Sequence, residues 1–412
     1  MRIVKLRDIS ELKTGPFGTQ FSASEYVVEG IPVINVKNIG YGSILASGLD
    51  HVSENTLEKL SEHKLQEGDI VFGRKGSVDR HCLIRKGQDG WMQGSDCIRV
   101  RFTGATVYPE FVSYYLLTDA VKMKINNSAV GSTMASLNTD ILGDIDIILP
   151  DFEEQKRIAL ILDTIDKRIS NNNQINDYLE EMAKTIYDYW FVQFDFPDEN
   201  GKPYKSSGGK MNFVEDFGLA PSDWKSGNLY DIAEFINGLA CQRYRPVETE
   251  ESLPVIKIRE MHEGVSSDTE RVSAAIPANN IVNTGDILFS WSATLEVQRW
   301  AGLKGGLNQH IFKVIPKGKY TQSYVYHQLK AYIVKFIQMA EARKTTMGHI
   351  TSDHLKQSVI VLPPDDIVHK FSNQVDSIHA EVSRISKENQ NLCQLRDWLL
   401  PMLMNGQATI EN

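Results

Sequence analysis

The chain has 412 residues, 42% hydrophobic and 24% charged, with a formal net charge of −9. That length holds two domains with their own cores, and the composition excludes disordered, collagen-like and disulfide-rich classes. No run approaches the ~18 apolar residues of a membrane span and MRIVKLRD carries no apolar signal core, so the expected location is cytoplasmic.

Four scattered cysteines (Cys82, Cys97, Cys241, Cys393) form no CxxC pair, which argues against a zinc site. The acidity is local. Residues 151–200 hold 12 Asp and Glu against 5 Lys and Arg, so the rest of the chain carries only −2. Nucleic acid is therefore permitted as a partner but not demanded.

The first element, KLRDISELKTG (Lys5 to Gly15), comes back as NLYDIAEFING (Asn228 to Gly238). Pro32-Val33-Ile34 recurs as Pro254-Val255-Ile256, and Gly68-Asp69-Ile70-Val71-Phe72 as Gly285-Asp286-Ile287-Leu288-Phe289. Thr133-Met134, Asp140 and Leu149-Pro150 recur at Thr346-Met347, Asp353 and Leu362-Pro363. The offset shrinks from 223 to 213 residues, as two copies of one fold with unequal loops would give. Each copy runs from β-branched strands with turn signals to a helix (Pro109 to Ile125; Ser323 to Met339), then a polar loop and a last strand.

A long helix follows each copy, over 151–193 and 364–405. Ile158, Leu162, Ile165, Ile169, Leu179 and Ile186 in the first, and Phe371, Val375, Ile378, Val382, Ile385 and Leu392 in the second, recur by threes and fours. So narrow a seam predicts a coiled coil with the other copy's helix, with Asn172, Asn176 and Asn389 fixing its register. Pro401 should kink or end the second helix. Residues 194–222, rich in Gly, Pro, Ser and Lys, read as an extended linker. The fold class is thus α+β. Two tandem α/β domains, 1–150 and 223–363, should be related by a pseudo-two-fold axis and separated by two long helices in an antiparallel coiled coil.

No phosphate loop, HExxH, GxSxG or adenine-methyltransferase signature occurs, and the ten histidines lack metal-ligand spacing. Asp198-Glu199 with Lys202 and Lys205 could suit a nuclease but sits in a turn-rich linker. His81, His310 and His349 read as surface residues. No catalytic, cofactor-binding or metal-binding residue is expected.

What can read a ligand is loops that differ on matched scaffolds. Arg74, Lys75, Ser77 and Arg80 follow the first GDIVF strand; Trp291, Ser292 and Thr294 stand at the same place in the second copy. Arginine and lysine suit guanine or phosphate, and hydroxyls and amides suit base edges. Lys37, Asn38, Lys257 and Arg259 follow matched strands. Ser132, Thr133 and Asn138, and Lys344, Thr345 and Thr346, lie in polar loops before the last strand. Asn308, Gln309 and His310 add amides and an imidazole. Ordinary turns, helix capping and a core Trp account for the same residues without any ligand.

These features together make the chain resemble the specificity subunit of type I restriction–modification systems. The duplicated layout, LPDFEEQKRIALILDTIDKRI, the FDFP…NGKPYKSSGGKM linker, GDILFSW…LNQHIFKVIP and LRDWLLPMLMNG carry the resemblance. Asp365-Asp366-Ile367-Val368-His369-Lys370 departs from it by lacking the Glu-Gln pair of Glu154-Gln155.

The resemblance implies a target-recognition domain for each half of a bipartite, asymmetric double-stranded DNA site, with the coiled coil setting the spacer. It also implies two methyltransferase subunits that bind S-adenosylmethionine, and optional restriction subunits that use ATP and Mg. The chain itself would be non-catalytic and hold no cofactor. A coiled-coil adaptor that binds only proteins, or a stand-alone methyltransferase or nuclease, is the competing class.

Overall fold

The structure, a computed structural model, describes residues 2–17, 20–129, 135–266, 268–292, 294–342, 350 and 352–408. It divides into two compact units, Met1–Arg168 with Cys393–Asn412, and Ile169–Leu392. The chain builds most of the first unit, then the whole second, and returns to complete the first.

In the first unit the buried run Ile70–Gly73 is the middle strand of five. The spatial order is Ser10–Thr14, Cys97–Phe102, Ile70–Gly73, His81–Leu83, Tyr41–Gly42. A second sheet holds Ile31–Ile34 parallel to Met92–Gln93, flanked by Asp50–Val52. Arg2–Lys5 pairs with Asp146–Leu149 and ties the two ends together.

The second unit repeats the centre of this topology, with four strands in place of five in the main sheet. Ala233–Asn237, Ile311–Pro316, Ile287–Ser290 and Glu296–Arg299 make one sheet. Ser252–Ile256 runs parallel to Gly305–Leu307 in another, and Lys225–Gly227 pairs with Ile360–Leu362.

Matched residues hold both copies. A Cβ on Gly15 would lie 1.9 Å from the Gly94 carbonyl oxygen, and one on Gly238 would lie 2.0 Å from that of Asn308. Only glycine permits so close a backbone approach. Asp69 accepts two hydrogen bonds from Arg101, at 2.8 and 2.6 Å, while its counterpart Asp286 meets Lys313 at 2.8 Å. In each unit an aspartate beside the central strand, buried in the first and half-buried in the second, is neutralised from the neighbouring strand.

The copies differ in the domain helix. The second unit has one helix, Gln322–Ala342, but the first has two, Pro109–Leu116 and Asp119–Ser128. Thr118 takes extended backbone geometry there and its hydroxyl bonds the Tyr115 carbonyl, which breaks the expected continuous helix.

The first long helix, Phe152–Tyr187, is capped by Asp151, whose Oδ1 accepts the Glu154 N–H at 2.9 Å. The second runs Asp365–Met404 and ends three residues past Pro401, near the place expected for its end. Leu403 and Met404 beyond it are buried in the first unit's core, and that packing offsets the lost backbone bond.

The seam residues also divide. Ile158 and Leu162 share the first unit's core with Leu149, Leu403 and Met404, and Ile165 is buried nearby. Phe371, Val375 and Ile378 pack with Ala183, Tyr187 and Trp190, with Leu179 and Ile186 at the margin. Ile385 is buried, but Ile169, Val382 and Leu392 are only half-buried.

Within the second unit the pairing is antiparallel. Asn172 donates to Asn389 at 2.8 Å, Asn389 donates to Asn173 at 2.8 Å, and Asn176 donates to Ser386 at 3.2 Å. Polar pairs that meet across two helices in this way select a single register. Each helix also packs on its own domain, so the seam is not the two-helix interface alone.

Two further expectations need correction. Residues 194–222 are no extended linker. Phe194, Phe196 and Trp224 are buried together in the second unit's aromatic core, Asp195 accepts two bonds from Ser206, and Met211–Val214 pairs with Gly218–Pro221 as a hairpin. Aromatics outweighed the turn-rich composition. His81 is fully buried rather than on the surface, bonded to the Ser113 hydroxyl at 2.9 Å, and burial pushes its pKa down to about 4. Among the described residues no helix is long and apolar enough to cross a membrane.

Candidate nucleic-acid interface

In the first unit the chain leaves strand Ile70–Gly73 into a basic loop. The Arg74 N–H donates to the Asp96 carbonyl at 2.8 Å, and the Arg74 carbonyl accepts from the Leu137 N–H at 2.8 Å. Gly76 and Lys75 pair with the backbone of Ala135 and Ser136. Two loops singled out from sequence are thereby joined into one surface.

The guanidinium of Arg74 lies 4.6 Å from the centroid of the Phe17 ring. Arg80 lies 5.3 Å, and the Lys122 ammonium 5.7 Å, from the centroid of the half-exposed Tyr41 ring. Aromatic faces hold cations outward without neutralising them. Lys75 is 3.4 Å from Asp96, and both are about half exposed. Ser77 is exposed. Phe17, Tyr41 and Lys122 were not anticipated; single aromatics between glycine-rich turns were the available signal.

The second unit repeats the backbone bonds with other side chains. The Trp291 N–H donates to the His310 carbonyl at 3.3 Å, and the Trp291 carbonyl accepts from the Ile350 N–H at 3.1 Å. Trp291 is half-buried, its ring 5.7 Å from His310 and 5.9 Å from Phe312. Gln309 lies 3.3 Å from the exposed His310, and Thr294 is exposed. An aromatic and polar surface here replaces a cationic one.

Other sequence candidates belong to the scaffold. Asn38 is fully buried, and its amide donates to the carbonyls of Leu45 and Ser47 at 3.1 and 3.3 Å. Ser292 and Asn308 are buried, and Asn308 accepts from the His310 N–H at 3.2 Å. Asn138 caps Thr139–Gly143 by accepting the Ile141 N–H at 2.8 Å. These short polar residues satisfy turn backbone, which the sequence pattern alone does not separate from base reading.

Lys37 pairs with Asp50 at 2.8 Å and Lys257 with Glu270 at 2.5 Å. Arg259 meets the buried Glu260 at 2.8 Å and Asp268 at 3.0 Å, and these carboxylates hold its pKa above the usual range. Glu260 itself occupies the buried place that Asn38 holds in the first copy. Ser132, Thr133, Lys344, Thr345 and Thr346 lie outside the described residues.

Residues 1–181 and 221–391 match the model of the family described as type I restriction modification DNA specificity domain. The chain belongs to this family. The match comes in two segments, each holding one duplicated domain and much of one long helix, and it omits the packed connector between them.

The specificity subunit of the type I restriction enzyme HindI, from Haemophilus influenzae, is 22% identical over 433 residues, covering 90% of this chain and 94% of its own. That of MjaIX from Methanocaldococcus jannaschii is 22% identical over 418 residues, covering 99% and 94%. Among solved structures, the type I restriction–modification S subunit from M. genitalium overlays with a TM-score of 0.55 at 14% identity. It covers 98% of this chain and 95% of that one, a likeness of fold. The family's task is recognition of DNA sequence, and both loop clusters stand on its duplicated scaffold.

Proposed function

We propose that this chain is the non-catalytic DNA-reading subunit of a type I restriction–modification complex, with each unit engaging one half of a bipartite asymmetric target. One observation carries this reading. Arg74 and Trp291 are held by the same two backbone bonds in their respective units, yet present opposite chemistry. Equivalent placement with unequal side chains is what two different half-sites require. Arg74 and Arg80 would reach guanine or phosphate, with Lys75 and Ser77 beside them. Gln309, His310, Thr294 and the Trp291 edge would serve the other half-site. Lys37, Lys257 and Arg259 remain proposals for phosphate contact only, because each is already paired. Ser132, Thr133, Lys344, Thr345 and Thr346 remain proposals on sequence.

The partners we propose are two methyltransferase subunits, which bring S-adenosylmethionine, and restriction subunits that bring ATP and Mg, all in the cytoplasm. The test is a gel shift of the reconstituted complex on a pool of random duplexes. Recovery of one discontinuous sequence supports the reading, and recovery without selection supports a protein-only adaptor. We further propose that the long helices set the unread gap. Four residues inserted near Asn172 and four near Asn389 add about 6 Å, and the gap should grow by one or two base pairs of ~3.4 Å. An unchanged gap refutes the spacer role.

A further inference from the structure

Beside the two reading loops the copies carry opposite charge. In the first unit the short edge strand Tyr41–Gly42 runs parallel to His81–Leu83, with Tyr41 paired to His81. That pairing sets the half-exposed Tyr41 ring beside two cations, the Arg80 guanidinium at 5.3 Å and the Lys122 ammonium at 5.7 Å.

These groups hold donors in reserve. Among the described residues Arg80 forms no ion pair, its buried Nε has no hydrogen-bond partner, and the Tyr41 hydroxyl bonds no protein group. Lys122 is 2.9 Å from Asp119, but that carboxylate is 91% exposed and screened by water. Asp79 adjoins Arg80 in the chain without pairing with it. Even with Asp79, Asp96 and Asp119 set against Arg74, Lys75, Arg80 and Lys122, this edge keeps one positive charge.

The matched places in the second unit are acidic. Gly264 matches Gly42, with φ of +80° and +76°, which puts the exposed Glu263 at the place of Tyr41. Phe289 pairs with Val297 as Phe72 pairs with His81, which puts Glu296 at the place of Arg80. The fifth strand is missing there. Helix Ile258–Glu263 stands in its stead, and its His262 Nε2 lies 2.9 Å from Glu296 Oε2. Lys335, in register with Lys122, lies instead over the rings of Tyr332 and Phe217, at 5.0 and 5.9 Å. A phosphate brought to this edge would meet two carboxylates and be repelled.

We propose that the grip on the DNA backbone is one-sided. The Arg80 guanidinium, the Tyr41 hydroxyl and the Lys122 ammonium hold one backbone phosphate beside the first half-site, and the second unit makes no such contact at the matched place. This rests on reading the chain as the DNA-recognition subunit, and it assigns Arg80 to phosphate rather than to guanine. An ammonium and a phenol beside the guanidinium suit phosphate oxygens, which accept from many directions, and not the fixed geometry of a base edge.

Methylphosphonate scanning tests this. The reconstituted complex is titrated on its selected target with one backbone phosphate at a time replaced by a neutral methylphosphonate. One replacement beside one half-site should weaken the natural complex roughly tenfold, and should weaken Arg80→Gln, already lower by the same factor, no further. Arg80→Gln should also reduce the slope of log affinity on log salt by about 0.9. Tyr41→Phe should weaken binding about threefold. Both variants should keep the selected sequence and the urea midpoint of the natural chain. Glu296→Gln, at the matched place, should change neither affinity nor slope. A complex that selects its sequence but has no phosphate coupled to Arg80, a sequence preference altered by Arg80→Gln, or a Glu296→Gln that binds more tightly with a steeper slope would each overturn the one-sided grip and leave the recognition function standing. A complex that selects no sequence would overturn both.

Discussion

The Arg74 loop and the Trp291 loop occupy the same place on the same scaffold, but only one is also part of a core. Arg74 rests on Phe17 at the surface, whereas Trp291 packs against Phe312 among the aromatic residues of the second unit. A duplicated fold can therefore vary how closely its reading surface is coupled to its stability. In the first unit the loop can change with little effect on folding. In the second unit, part of the proposed recognition surface helps to hold the domain together.

The matched aspartates offer the largest contrast. Asp69 is almost fully buried against Arg101, so Asp69→Ala should lose ~3–5 kcal/mol by leaving Arg101 without its partner. Asp286 is more open to water than Asp69, at 19% against 2%, so Asp286→Ala should lose less. Urea unfolding of the two variants ranks them, and the reverse order would break the comparison.

Acid should distinguish the units next. Burial pushes His81 down to about 4, and it pushes His379 to about 3 and His327, with His379 beside it, to about 2. These residues are neutral in the fold, while an unfolded histidine gains its proton near ~6.5. Their contribution is complete above that pH and is lost as pH falls toward the folded values, about 3 kcal/mol for His81. The urea midpoint should fall between pH 7 and 4.5, and His327→Asn should flatten the fall more than His81→Asn. A midpoint independent of pH would contradict the burial.

Trp291→Ala should lower stability by roughly 2–3 kcal/mol, from removal of a half-buried indole, and weaken DNA binding as well. Arg74→Ala should leave stability within ~0.5 kcal/mol but lose ~1–3 kcal/mol of binding, with relaxed selection in one half-site. Paired melting and binding titrations check both. The smallest effect is expected of Asn172→Ala, about 1 kcal/mol, because it leaves the Asn389 amide oxygen without its donor.

Periodicity and repetition made much of this fold legible. The shrinking offset between copies survives as matched strand pairings and as the shared bonds at Arg74 and Trp291, because backbone topology follows apolar pattern and glycine placement. The joining of the Arg74 loop to residues 135–138 was not legible, because it rests on backbone bonds between segments far apart in sequence. What stayed hidden depends on long-range partners. Asn38 and Asn308 look like amides for reading bases until buried turns are seen to consume them. Arg259 looks like a phosphate contact until Glu260 and Asp268 appear beside it. The connector looked loose because glycine, proline and lysine dominate its composition, and only contact with Trp224 and Tyr204 reveals why Phe194 and Phe196 are buried. Thr118 breaks a helix whose apolar rhythm continues unbroken in sequence.

The claim that the two units read separate stretches of DNA through equivalent loops has one most direct test. Residues 223–363 can be exchanged for those of another family member, leaving Phe194, Phe196 and the long helices in place, and N6-methyladenine then mapped across the genome of cells carrying the complex. The account predicts a methylated sequence in which one half-site is new while the other half-site and the gap are unchanged. Alteration of both halves, or of neither, in a hybrid that assembles and methylates would contradict it.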